Sequence, residues 1–93
     1  MIYASKIKMK PSCYHSNNLL EIEEIYLEGC KRPGFYSKAD IYDFLKTNSG
    51  TITVKLYPYP KLVPALSVYN EKYVKSAPDQ YLTDNLLRLP RTW

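Results

Sequence analysis

Glycine, cysteine, histidine and long apolar runs are all scarce in this chain, and each scarcity removes a class of protein. Three glycines in 93 residues are the balance of an ordinary globular fold, not of a collagenous or disordered chain, and neither a P-loop nor a dinucleotide fingerprint is present. Two cysteines, Cys13 and Cys30, are too few for the disulfide framework of small secreted domains, and their spacing fits no zinc pattern. They read as free thiols. No apolar run approaches a membrane span or a signal-peptide core, so the expected compartment is the cytoplasm and no membrane partner is expected. A chain of this length buries only about 60 to 65% of its unfolded surface, which predicts one domain over residues 1–93 with one core and little room for a deep enclosed site.

What the chain does have is tyrosine and positive charge. Ten tyrosines stand beside two phenylalanines and one tryptophan, so most rings carry a hydroxyl and suit half-buried positions and contact surfaces. The net charge is +4 and unevenly spread. Residues 11–30 hold Glu21, Glu23, Glu24 and Glu28 with no lysine or arginine, leaving all thirteen basic residues elsewhere against the remaining five acids. Such a surface steers phosphate-bearing partners, although a small domain also needs net charge for solubility.

Alternation over residues 2–9 predicts a half-buried strand with Lys6, Lys8 and Lys10 on one face and Ile7 and Met9 on the other. Pro11 ends it, and a polar loop continues to Asn18. Residues 19–27 fit both strand and helix spacing; a strand is expected, because its glutamates would then offset the lysine row across a hairpin. After a turn at Pro33-Gly34, Ser37 and Asp40 form a capping-box signature for a helix ending near Thr47, with Ile41, Phe44 and Leu45 as its apolar stripe. Residues 51–57 read as a strand with Ile52, Val54 and Leu56 on one face. Pro58, Pro60 and Pro64 then confine the chain to loop or edge, with strands expected at 65–69 and 72–76. Pro78-Asp79 opens a last loop, and residues 83–90 close the fold as a tight turn. The expected class is α+β: a small twisted antiparallel sheet of about four to five strands, one main helix packed on it, and a short C-terminal helical turn.

The closing string Thr83-Asp84-Asn85-Leu86-Leu87-Arg88-Leu89-Pro90, led by Tyr73-Val74-Lys75 and Pro78-Asp79, resembles the domain-of-unknown-function 3892 family of bacterial and phage proteins. The opening strand, the helix at Ser37-Lys38-Ala39-Asp40-Ile41-Tyr42 and the strand after it occur in a compatible order. The resemblance implies a small α+β domain in phage or mobile-element settings, with no catalytic residues to transfer.

Catalytic chemistry finds little support. Cys13 and the only histidine, His15, share a flexible loop that is a poor platform for a nucleophile and its base. Cys13, His15 and Cys30 fall one ligand short of structural zinc, and Glu21 with Glu23 reads as a solvated or lysine-neutralising row. The chain is not expected to be an enzyme or to hold a cofactor.

Binding chemistry is better represented. Asp84 and Asn85, the polar pair of the tail motif, either cap the last turn or, flanked by Arg88, Arg91 and Trp93, line a site for an anionic ligand, since guanidinium groups fork onto phosphate oxygens. Tyr57-Pro58-Tyr59-Pro60 presents two tyrosines at low entropic cost. Lys8 and Lys10, with Lys6, form a basic stripe or protect an edge strand. The expected function is a homo-oligomeric binding module that sequesters a phosphate-bearing ligand. A cyclic nucleotide or cyclic ADP-ribose immune signal fits, as in phage anti-defence sponges. The alternatives are a protein-binding inhibitor or adaptor that meets a host protein through tyrosines, and sequence-independent nucleic-acid binding.

Overall fold

The computed structural model describes residues 1–77 and 84–92, so the Pro78-Asp79 loop, Thr83 and Trp93 lie outside the described residues. Strand β1 (Ile2–Met9) runs down the middle of the main sheet. A 3-10 turn (Leu19–Glu21) leads into β2 (Ile22–Glu28), β3 (Gly34–Ser37) comes next, and helix α1 (Lys38–Thr47) crosses back to β4 (Ile52–Val54). Strands β5 (Leu62–Leu66) and β6 (Lys72–Ser76) form a separate antiparallel hairpin. A second 3-10 turn (Asn85–Arg88) and the two-residue β7 (Arg91–Thr92) end the fold.

The fold is α+β, as its residues predict, but the main sheet is mixed and not antiparallel. Its order is β3-β2-β1-β4, with β7 on the same edge of β1 as β4; β1 pairs antiparallel with β2 and parallel with both β4 and β7. The parallel pairing follows from connectivity. Chain direction reverses at β2 and again at β3, so β3 runs with β1; α1 then carries the chain back to the starting end as a crossover, and the strand after the helix runs with β1 as well. Since β1 has neighbours on both sides, its lysines are not edge-strand protection.

Two β-bulges explain where simple periodicity misleads. The β1–β2 register shifts between Ala4 and Lys6 and again between Lys8 and Met9. Each extra residue reverses the facing of the residues beyond it. In β1 the buried set is thus Ala4, Ile7 and Met9, and in β2 it is Ile22, Ile25 and Leu27, a spacing of three that imitates a helix although the segment is a strand.

Helix α1 starts where expected: the Ser37 hydroxyl accepts the Asp40 amide proton at 3.1 Å. Its buried face is Lys38, Ile41, Tyr42 and Leu45, with Phe44 left 41% exposed; tyrosine takes the place expected of phenylalanine. Strand β4 stops at Val54, short of the expected Tyr57, and Thr53 is buried because Lys61 reaches over to its hydroxyl at 3.0 Å. Strand β5 begins three residues earlier than expected and contains Pro64 opposite Val74. A two-stranded ribbon leaves each strand a free edge where a missing amide costs no ladder bond. The core gathers Ile7, Ile25, Leu45, Ile52, Leu62, Val74 and Leu86 between sheet, helix and hairpin. Among the described residues no helix is long and apolar enough to cross a membrane.

Candidate functional site

The tail residues form one hydrogen-bonded knot. Asp84 caps the second 3-10 turn by accepting the Leu86 amide at 2.9 Å, and the same carboxylate accepts the Ser76 amide at 3.1 Å and its hydroxyl at 2.8 Å. Asn85 is fully buried. Its amide donates to the Ser76 hydroxyl at 3.2 Å and its side-chain oxygen accepts from Arg88 at 3.1 Å. Its side-chain NH2 meets no acceptor among the described residues.

Arg91 points away from this knot into the loop after β1. One guanidinium nitrogen donates to the carbonyls of Tyr14 (2.6 Å) and Ser16 (2.8 Å), and the other to that of Leu87 at 3.1 Å. The phosphate-fork geometry expected of Arg91 is thus already occupied by main-chain carbonyls, and the residue fastens loop to tail.

That loop walls an open cleft of about 550 Å³, which also takes in Lys8, Lys10, His15, Glu21 and Thr92. The left-handed backbone at Ser12 (φ 67°) turns the chain into it. Two of the expected site residues, Lys8 and Lys10, meet here, and both are engaged: Lys8 lies 3.8 Å from Glu24 and 4.0 Å from Glu23, and Lys10 lies 3.5 Å from Glu71. Glu21 accepts hydrogen bonds from the Ser16 hydroxyl and, at 3.2 Å, from the Cys13 thiol. These two bonds, Ser16 first, hold its carboxyl below the ordinary glutamate value. The same contact, through the hydrogen bond to Glu21 and then burial, raises the Cys13 thiol. A protonated thiol facing a carboxylate is the reverse of an activated nucleophile. His15 packs edge-on against the Tyr14 ring at 5.0 Å, and Cys30 lines a different groove. Cys13, His15 and Cys30 are therefore not brought together, and among the described residues no three histidine, cysteine or acidic side chains form a metal-holding group.

Tyr57 and Tyr59 stand apart from both sites. They are 66% and 56% exposed, with rings edge-on at 6.2 Å. Their loop is pinned by hydrogen bonds from the Tyr59 amide to the Leu56 carbonyl (2.7 Å) and from the Val54 amide to the Pro60 carbonyl (2.9 Å). Two further features escaped sequence reasoning: a fully exposed Val68-Tyr69 tip on the β5–β6 hairpin and an apolar groove beside α1. The misplaced start of β5 hid the tip by assigning those residues to a strand; Asn70, a residue that tolerates positive φ and has φ 63° here, was the available turn signal.

No family model, curated protein or solved structure matches the chain.

Proposed function

We propose that the protein is a non-enzymatic binding module that acts in the cytoplasm by engaging a host protein through Tyr57 and Tyr59. The observation that carries this reading is the pair itself: two tyrosines more than half exposed on a loop fixed by backbone hydrogen bonds. Rings held in water on an ordered loop gain affinity because little freedom is left to lose on contact. The resemblance to the domain-of-unknown-function 3892 family adds a phage or mobile-element setting to the proposal. A photo-crosslinking residue at position 59 tests it against the same probe at position 31, which lies on another exposed turn. A discrete adduct from position 59 only, lost in Tyr57→Ala, supports the reading. Equal labelling from both positions sinks it.

Sequestration of a phosphate-bearing ligand is the second reading, and the cleft beside Lys8, Lys10, Tyr14 and His15 favours it. Such a ligand would have to displace Glu23, Glu24 and Glu71 from the two lysines. Melting with a panel of cyclic nucleotides, cyclic ADP-ribose isomers and DNA separates the readings, since a ligand at one hundred times its Kd adds about 2.7 kcal/mol of stability. A salt-tolerant shift with one nucleotide, abolished by Lys10→Ala, would favour sequestration over protein binding. A shift with DNA alone that fades steeply with salt would favour non-specific nucleic-acid contact.

A further inference from the structure

Two apolar features of the surface lack a partner within the described chain, and their chemistry matches. The first is an open groove of about 380 Å³ along one flank of α1, walled by Ile2, Leu27, Tyr36, Phe44 and Ile52, with Asp40 beside them. Asp40 is the one acid among the described residues whose carboxylate has no partner; Glu21, Glu23, Glu24, Glu28, Asp43, Glu71 and Asp84 all hold hydrogen bonds or ion pairs. An apolar groove with one bare carboxylate disfavours anions and suits a ring that carries a single hydrogen-bond donor.

The second feature is such a ring. Val68 and Tyr69 are 92% and 90% exposed at the tip of the β5–β6 hairpin. The tip is ordered by its own bonds. The Ser67 hydroxyl accepts the amides of Tyr69 and Glu71, both at 3.1 Å, and Ser67 and Asn70 close the turn through backbone bonds of 3.0 Å. Tip and groove also face different ways. Tyr42 and Asp43 meet Lys72 of the hairpin, at 5.6 Å to the ring centre and 2.8 Å to the carboxylate, whereas Asp40 and Phe44 line the groove. About 100° of rotation per residue centres the two pairs about 130° apart around the helix, and with Tyr69 90% exposed the chain's own tip does not fill the groove.

We propose that the hairpin tip of one copy docks in the α1 groove of a second copy, the Tyr69 ring lying against Phe44 and its phenol donating to Asp40. A cavity of about 150 Å³ accepts a benzene ring, so the groove has room for Tyr69 and its valine neighbour. The contact joins two different surfaces and is head-to-tail, able to close a ring or extend a chain. It is separate from Tyr57 and Tyr59 and stands whatever they bind. A contact this small is weak, with Kd between about 1 μM and 1 mM.

Sedimentation velocity across that concentration range is the test. The full chain is expected to gain mass with concentration. Tyr69→Ser and Asp40→Lys each stay monomeric with folded circular-dichroism spectra, and Tyr69→Phe weakens association about tenfold. An equal mixture of Tyr69→Ser and Asp40→Lys forms a dimer and nothing larger, because one intact groove and one intact tip remain. Phe44→Ala, which leaves the helix cap alone, repeats the groove arm. A wild-type chain monomeric throughout, association that survives Tyr69→Ser, or variants whose mixture stays monomeric would each overturn the proposal.

Discussion

Arg91 reaches three carbonyls in two segments, those of Tyr14, Ser16 and Leu87, and so sets the position of the loop that walls the cleft beside Lys8 and Lys10. Bonds from a charged donor contribute about 1.5 to 3 kcal/mol each in favourable cases, and the freed carbonyls are part-buried, so rehydration recovers some of the loss. Arg91→Ala is expected to lower unfolding stability by roughly 2 to 3 kcal/mol, read from the urea midpoint at constant m-value. Arg91→Lys restores only part, because an ammonium cannot span the three acceptors. A midpoint unchanged in Arg91→Ala would show that the clamp carries no net stability. At Cys13 the expectation concerns reactivity. Glu21 raises the thiol by accepting its hydrogen bond and by its charge, so Glu21→Gln should lower the Cys13 pKa and speed iodoacetamide alkylation at a fixed, mildly alkaline pH. A slower or equal rate would mean that access, not charge, governs this thiol.

The turn after β2 shows how an element depends on one residue. Gly29 has φ +82° and Gly50 has φ +75°, both in the left-handed region, yet a Cβ on Gly29 would lie 2.0 Å from the Met1 carbonyl oxygen whereas one on Gly50 would meet nothing within 4 Å. Gly50→Ala is expected to cost about 1 kcal/mol, the conformational penalty alone. Gly29→Ala should cost at least about 2 kcal/mol more, because the start of β1 must move to relieve a backbone clash. Equal urea midpoints for the two would contradict this. Elements were legible in the sequence wherever a local rule decided them: the Ser37 cap, the alternation of β1, the β6 segment and the Asp84 turn. They were illegible where pairing decided them. The bulges that give β2 a helix-like spacing depend on register with β1, and the parallel pairing of β4 depends on the crossover. At the candidate sites the rigid Tyr57-Pro58-Tyr59-Pro60 presentation and the shared face of Lys8 and Lys10 could be read from the chain, but the cleft that the loop after β1 builds beside those lysines could not. Arg91 could not, because its acceptors at Tyr14 and Ser16 lie 77 and 75 residues away.

The β5–β6 hairpin forms its own sheet, and charged contacts from three other elements hold it to the rest of the molecule. Glu71 receives Lys38 of α1 at 2.8 Å and Lys10 at the end of β1 at 3.5 Å, Lys72 receives Asp43 at 2.8 Å, and Lys61, just before β5, bonds Thr53. Buried Leu62 and Val74 add apolar contact. Lys38 is nearly buried, and its hydrogen bond, followed by its charge, holds the Glu71 carboxyl below the ordinary glutamate value. A depressed folded value means that the stabilisation is complete above the unfolded pKa of about 4.3 and is lost as pH falls through the lower folded value. Glu21 and Glu28 shift in the same direction, the first through Ser16 and Cys13 and the second through Lys55, so acidification weakens loop, sheet edge and hairpin together. The hairpin differs in that losing Glu71 leaves the ammonium of Lys38 nearly buried with, among the described residues, only the Leu20 carbonyl to accept from it, an uncompensated charge at the seam between helix and hairpin. Hydrogen exchange should therefore find β5 and β6 opening at lower free energy than β1 and β2, with a gap that widens as pH drops below about 4 and is already wide at neutral pH in Glu71→Gln. Lys38→Met, which removes the buried charge, should narrow the gap again in the Glu71→Gln background. Uniform exchange across both sheets in Glu71→Gln would mean that hairpin and sheet unfold as one unit and that the ion pairs only decorate the seam.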